Sequence, residues 1–565
     1  MKNTNNKRKV IIGVALGFLV LAAIVFFIII KKSNKSAAVS DAHTQEQLEV
    51  ERSAFEITAE QRVLANNNKE QLKPLDAGRG NPNWINTQAR YAFSRFMEFA
   101  LQECERTFSE GTMAGQANPE GITERFYLAM DPEDETDSFL LDAIAYCNEK
   151  LGIDKDALLK ELVDGIIGDY YPSPGRCLKY SEIILNEYLQ DTLYNGKKLA
   201  GETQVFPTEG GTAAICYIFG SLNHNRILKD GDKIAIAEPI FTPYLEIPDV
   251  NNYGLISVDI RCDESENWDL PEDALEVLSD PETKAFFLVN PSNPASHQLS
   301  KKALDMIAEA VKKNPNLIII TDDVYGTFVN DFETVYSVVP RNTILVYSFS
   351  KIYGVTGWRV GLIAMNKDNV VDDLIAALPK EDRQFLQKEY SIVVDDADSL
   401  TFIERMVADS RSIGLYHTSG LSTPQQVFMD FLALTHLTCN GEDPYFRLAN
   451  ELIDKRYAAL MNALGIPYDT DNDNTRYYTL IDIYEIAENR YGQEFADWMR
   501  ANVDDYTFIK ELAERYGVVL MYGPGFAADK GQVRVSLANL NEEDYVEIAN
   551  RIFMLMDDYH FRIEK

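Results

Sequence analysis

Histidine and cysteine are scarce in this chain, with six of each in 565 residues. Cys104, Cys147, Cys177, Cys216, Cys262 and Cys439 are scattered without C-x-x-C spacing, and the histidines form no H-x-x-x-H pair. The sequence therefore offers no metal site, and the cysteines read as reduced, mostly core residues. Positive charge is also in deficit: 54 Lys and Arg stand against 88 Asp and Glu, a formal charge of −34. Such a surface repels nucleic acid phosphates, so a nucleic-acid partner is excluded. Internal repeats and long low-complexity tracts are missing too, which excludes solenoids and arrays. What remains is a globular composition, 46% hydrophobic and 11% aromatic, long enough for two domains with a large core.

One long apolar run breaks this pattern. Val10–Ile30 is uncharged over 21 residues, and at ~1.5 Å per residue it can cross a hydrocarbon layer of ~30 Å. Lys7, Arg8 and Lys9 precede it, and Lys31, Lys32 and Lys35 follow. The length and the basic flank on each side predict an uncleaved single-helix membrane anchor, although Ala38-Val39-Ser40 would serve as a cleavage site. Four basic residues before the run and three after it leave open which side of the membrane the rest of the chain occupies. Residues 1–9 are then a basic tail, 10–30 the anchor, and 31–69 a polar tether that becomes helical.

The most informative segment is Ser348-Phe349-Ser350-Lys351, with Arg359 eight residues beyond the lysine. It follows a buried-looking strand and places an amine near a guanidinium and two hydroxyls. In isolation this is a Ser/Lys loop with an exposed arginine. Upstream, Leu317–Ile320 is an apolar run ending in Thr321-Asp322-Asp323-Val324-Tyr325, and Asp322 falls where open α/β sheets gather ligand-binding groups. Ala285–Val289 runs into Asn290-Pro291-Ser292-Asn293, which alone is equally a structural turn. Gly210-Gly211-Thr212 stands at a helix start, where free N–H groups favour an anion. In Val533-Arg534-Val535-Ser536 the arginine can grip a carboxylate by two parallel hydrogen bonds, or simply be an exposed strand residue.

Taken in order, these segments resemble the fold-type I pyridoxal phosphate enzymes of the aspartate aminotransferase superfamily, over about residues 70 to 560. The resemblance implies that Lys351 is the Schiff-base lysine and proton carrier and that Asp322 is the partner of the pyridine nitrogen. Tyr325 and Asn293 would meet the 3′-oxygen. Arg359, Ser348, Ser350 and Gly210-Gly211-Thr212 would hold the phosphate, with glycine replacing a frequent serine at position 210. Phe241 would stack on the ring, Tyr170 would reach the phosphate of a neighbouring subunit in a homo-oligomer, and Arg534 would anchor the substrate α-carboxylate. The loop Ala77-Gly78-Arg79-Gly80-Asn81-Pro82 carries arginine where the superfamily usually has an aliphatic residue. With the acidic insert described next, it is similar to the aspartate 4-decarboxylase branch, and Gly80 would let the backbone approach the substrate. Arg79 would contact either carboxylate of L-aspartate, or be a rim residue paired with an acidic neighbour.

The implied fold is α/β: a large, mostly parallel-sheet domain over residues 140–439, with an acidic insert at about 362–421, and a smaller discontinuous α+β domain from 70–139 and 440–565. The implied activity is β-decarboxylation of L-aspartate with aspartate transaminase side activity. An ordinary dicarboxylate aminotransferase is the alternative, and a membrane-tethered scaffold with a decayed site is the alternative of another class.

Overall fold

The computed structural model describes residues 53–563 except 172–174, 200, 250–252, 419 and 440. The expected anchor at 10–30 lies outside the described residues. Among those described, no helix is long and apolar enough to cross a membrane.

Seven strands form the central sheet: β1 (Thr203–Thr208), β2 (Lys233–Glu238), β3 (Ile256–Arg261), β4 (Thr283–Val289), β5 (Ile318–Asp322), β6 (Thr343–Ser348) and β7 (Gly361–Asn366). Their order is β1-β7-β6-β5-β4-β2-β3, and β7 alone runs antiparallel to its neighbours. Ile318, Ile319, Ile320, Phe286 and Phe287 are fully buried, as expected of a parallel sheet covered on both faces. The covering helices are amphipathic. In Lys301–Lys313, Ser300 caps the first turn, and Ala303, Leu304, Ile307 and Ala310 make the buried stripe. A second, antiparallel sheet contains β8 (Tyr478–Asp482), β9 (Met521–Tyr522) and β10 (Gln532–Ser536), ordered β8-β10-β9.

Two boundaries differ from the sequence expectation. The insert begins after Asn366 rather than at 362, because Gly361–Asn366 pairs on both edges within the central sheet. Helix Gln88–Thr107, expected in the smaller domain, packs on helices that flank the central sheet: Phe93 and Phe96 meet Phe428 and Phe431 edge-on, and Phe93 meets Trp358. Adjacency in sequence points to the smaller domain, but the apolar face of the helix decides its partner.

Helix Pro444–Leu464 enters beside the lysine loop. Its Tyr445 hydroxyl donates to the Ile352 carbonyl at 2.9 Å, and the Trp84 indole donates to the same oxygen at 2.9 Å. Gly354, at φ +61°, completes that loop where a Cβ would sit 1.9 Å from the Trp84 carbonyl, so only glycine fits. The start of this helix is fixed by His436, whose Nδ1 and Nε2 each lie 2.9 Å from a carboxylate, of Asp443 and Asp191. Burial alone would depress the imidazole, but the two carboxylates outweigh it and raise its pKa to about 9. A pKa raised on folding contributes stability that is complete below the ordinary value of 6.5 and is lost as pH rises through about 9. We expect the wild-type stability advantage over His436→Gln, on the order of 1–3 kcal/mol at about pH 6, to vanish by about pH 9.5; denaturant unfolding at the two pH values checks it, and an advantage independent of pH would refute it.

Candidate active site

The carboxyl ends of β4, β5 and β6 deliver Val289, Asp322 and Ser348 to one cleft of about 420 Å³. This is the edge at which open α/β sheets bind ligands. Lys351, just beyond β6, donates from Nζ to the Gly80 carbonyl at 3.0 Å. Asp322 is buried, and accepts from the Tyr244 hydroxyl at 2.7 Å and the Val324 amide at 3.3 Å. Burial raises its pKa, and Tyr244, Val324 and the Lys351 charge oppose that rise only in part. Among the described residues no cation is paired with it, so the carboxyl is placed to receive one from a ligand.

The opposite demand exists at Arg534. Its residue is 2% exposed. Nη1 donates to Asn293 Oδ1 at 3.0 Å and Nη2 to the Gly78 carbonyl at 3.0 Å, while Nη2 also lies 2.7 Å from Met521 Sδ. The guanidinium lies 4.1 Å from the Tyr478 ring centroid and 4.7 Å from that of Phe526. These ring faces offset part of the cost of burial. No carboxylate pairs with it among the described residues, and Nε has no hydrogen-bond partner. A buried cation left in this state is a receptor for an anion.

Tyr325 and Tyr478 join through their hydroxyls at 3.0 Å. Burial pushes the Tyr478 phenol up, but the Lys351 and Arg534 charges and the Tyr325 hydrogen bond bring it below its ordinary value. Arg359 adopts φ +57° and donates to the Thr356 and Glu209 carbonyls at 2.9 and 3.0 Å. Its Nη2 would lie 2.5 Å from a Cβ on Gly210, so glycine at 210 is what lets the guanidinium lie flat against the helix start. Gly210 precedes helix Gly211–His224, and Gly211 and Thr212 line the cleft with Ser348 and Ser350, whose hydroxyls are 2.9 Å apart. Phe241 lines the same cleft, edge-on to Phe55 and Tyr244.

Of the residues proposed from sequence, Lys351, Asp322, Tyr325, Asn293, Arg359, Ser348, Ser350, Gly211, Thr212, Phe241, Arg534, Arg79 and Gly80 all line this cleft, with Gly210 against Arg359. Tyr170 does not line it. Arg79 stands at the rim, its side chain 57% exposed and paired with Asp76 at 3.2 Å. Sequence reasoning missed Tyr244, Tyr478, Phe55 and Arg62. Arg62 shares Asp76 with Arg79, at 2.7 Å, and none of the four belongs to a local motif. Tyr478 reaches the Arg534 face only through the register that places Leu480 opposite Arg534.

An amine, a buried carboxyl awaiting a cation, a helix-start anion cradle and a buried guanidinium awaiting an anion, all at one sheet edge, define an α/β enzyme built around an anionic cofactor and a carboxylate substrate. Comparison with known proteins agrees. Residues 176–393 match the aminotransferase class I and II family. The chain is 42% identical over 513 residues, 90% of its length and 96% of the relative's, to a bifunctional aspartate aminotransferase and L-aspartate beta-decarboxylase of a Pseudomonas species. An aspartate aminotransferase of Pyrococcus abyssi is 35% identical over 24% of this chain and 36% of its own. Among solved structures, a Thermus thermophilus aspartate aminotransferase mutant superposes with a TM-score of 0.56 at 18% identity, over 89% of this chain and 97% of that one. The Rhizobium meliloti aspartate aminotransferase gives 0.56 at 18% identity, over 90% and 96%. The chain belongs to the class I and II aminotransferases.

Arg534→Lys keeps the charge but loses the two-pronged donor. We expect it to weaken binding of succinate, a carboxylate ligand, by about 10–100-fold, the equivalent of ~1.5–3 kcal/mol. Titration calorimetry measures this, and unchanged affinity would remove Arg534 as the carboxylate receptor.

Proposed function

We propose that this protein is a pyridoxal phosphate enzyme that converts L-aspartate to L-alanine and carbon dioxide, with aspartate transamination as a side activity. The observation that carries the reading is the 42% identity extending over nearly the whole of both chains to the bifunctional Pseudomonas protein. The cleft supplies what the chemistry requires. Bound there, pyridoxal phosphate provides an aldehyde for amines and an electron sink for bonds broken at the substrate. Lys351 holds the aldehyde carbon and moves the proton at the substrate Cα. Asp322 keeps the pyridine nitrogen protonated, Tyr325 and Asn293 serve the 3′-oxygen, and Phe241 covers the ring. The helix start at Gly210-Gly211-Thr212, with Arg359, Ser348 and Ser350, takes the phosphate. Arg534 takes the α-carboxylate, leaving the β-carboxylate toward the rim, where Arg62 and Arg79 flank Asp76. Loss of the β-carboxyl as carbon dioxide leaves its electron pair with the β-carbon, which gains one proton to become the methyl group of alanine.

The same geometry also serves an ordinary dicarboxylate aminotransferase, and the structural similarity to aspartate aminotransferases supports that second reading. Tyr170, in Tyr170-Tyr171-Pro172, is assigned to the phosphate of a neighbouring subunit in a homo-oligomer on the resemblance of that motif. The division into a large domain and a smaller discontinuous one, and a single-helix membrane anchor at 10–30 with either orientation, complete the proposal; the anchor rests on the apolar run alone.

The test is incubation of the cofactor-loaded protein with L-aspartate while alanine, carbon dioxide and oxaloacetate are followed together. We expect alanine and carbon dioxide in equal amounts without an added keto acid, and a loss of ~10³-fold or more in Lys351→Ala. Oxaloacetate formed only with an added keto acid, and no alanine, would put the aminotransferase reading in its place.

A further inference from the structure

The acidic insert that follows β7 touches the helix that begins the anion cradle. Tyr217, Ser221 and His224, spaced i, i+4 and i+7, form one stripe of helix Gly211–His224. Two insert residues lie on that stripe. Asp409 accepts from Ser221 Oγ at 2.5 Å and from Asn225 Nδ2 at 3.1 Å, and lies 2.9 Å from His224 Nδ1. Arg411 reaches toward the other end, donating to the Tyr217 hydroxyl at 3.1 Å and to Glu209 Oε1 at 2.8 Å, while Tyr217 donates to Glu209 Oε2 at 2.9 Å.

Glu209 is the residue before Gly210, and its main-chain carbonyl receives Arg359 Nη2 at 3.0 Å. One residue therefore carries both a carboxylate and the carbonyl that orients the arginine of the cradle. Burial would raise this carboxyl, but the Arg411 hydrogen bond, the Glu209 backbone amide, the Tyr217 hydrogen bond and the Arg411 charge together more than offset burial and hold it below its usual range, so it is charged. An uncompensated carboxylate so close to a phosphate site would repel a dianion and pull on Arg359. We propose that Arg411 of the insert is a positioning residue for phosphate recognition: by pairing with Glu209 it neutralises the carboxylate beside the cradle and fixes the carbonyl that holds Arg359. The insert thus conditions cofactor affinity through its own side chains.

This inference rests on the pyridoxal phosphate reading, and the test separates the two. The apoprotein is titrated with pyridoxal phosphate and, separately, with pyridoxal, following the absorbance of the adduct at Lys351. In Arg411→Met the dissociation constant for pyridoxal phosphate should rise by about tenfold, the scale of one charge-assisted pair, whereas that for pyridoxal, which has no phosphate, should change less than about twofold. Arg411→Lys should retain most of the affinity, and Glu209→Gln combined with Arg411→Met should recover it, because the repelling charge is gone. A general loosening of the fold would weaken both ligands alike and would not be rescued by the second substitution. Equal weakening of both ligands, an unchanged pyridoxal phosphate constant in Arg411→Met, or failure of the double variant to recover would each overturn the proposal. Failure of the wild type to bind pyridoxal phosphate would overturn the functional reading and this inference together.

Discussion

Burying a charged group without a counter-ion costs several kcal/mol even after relaxation, and this protein buries two ionisable groups of opposite kind, Asp322 and Arg534, in one cleft without pairing either of them. Asp322 has only a phenol and a backbone amide, and Arg534 has carbonyl oxygens, an amide oxygen, a thioether and two ring faces. The fold keeps them apart by placing Asp322 at the end of β5 in the central sheet and Arg534 on β10 in the second sheet. The unspent electrostatic demand at each point becomes binding energy for a ligand that is cationic at one place and anionic at another.

What bridges the two sheets is the short glycine loop after Ala77. The Gly78 carbonyl receives Arg534 Nη2, and the Gly80 carbonyl receives both Lys351 Nζ and the Tyr477 hydroxyl. A Cβ on Gly80 would fall 2.1 Å from the Tyr478 hydroxyl oxygen and 3.5 Å from Lys351 Nζ, so side-chain bulk is excluded at the point where the two sheets share the lysine. The resemblance to the superfamily implies that glycine at 80 lets the backbone approach the substrate. The structure shows that position first making room for the Lys351 amine, whose Nζ donates to the Gly80 carbonyl. The lysine loop is then fixed from behind by Trp84 and Tyr445 on the Ile352 carbonyl.

The parts of this site that could be read in the sequence are those whose signal is local. Short apolar runs that end in a polar residue mark strand ends, and Asp322, Ser348 and Lys351 follow such runs directly. Tyr244, Tyr478, Phe55 and Arg62 were not legible, because each enters the cleft through a pairing that no neighbouring residue announces. Tyr244 meets Asp322 from 78 residues away, and Tyr478 meets Tyr325 from 153. The boundary of the insert was missed for a related reason. Gly361–Asn366 is a short strand that owes its existence to two antiparallel partners, and an acidic stretch follows it almost at once.

A chain of net charge −34 that gathers anions must confine its attraction to short range. At physiological ionic strength the screening length is ~8 Å, so the acidic exterior contributes little inside a desolvated cleft, whereas a guanidinium in contact contributes fully. Arg534, Arg359, Lys351, Arg62 and Arg79 all line the same cleft. Two carboxylates next to cleft-lining residues are each answered by arginine: Asp76 by Arg62 and Arg79, and Glu209 by Arg411. Local neutralisation is therefore the device that lets an acidic surface and an anion site coexist. The acidic segment after Asn366 takes part in it by presenting Arg411 to Glu209.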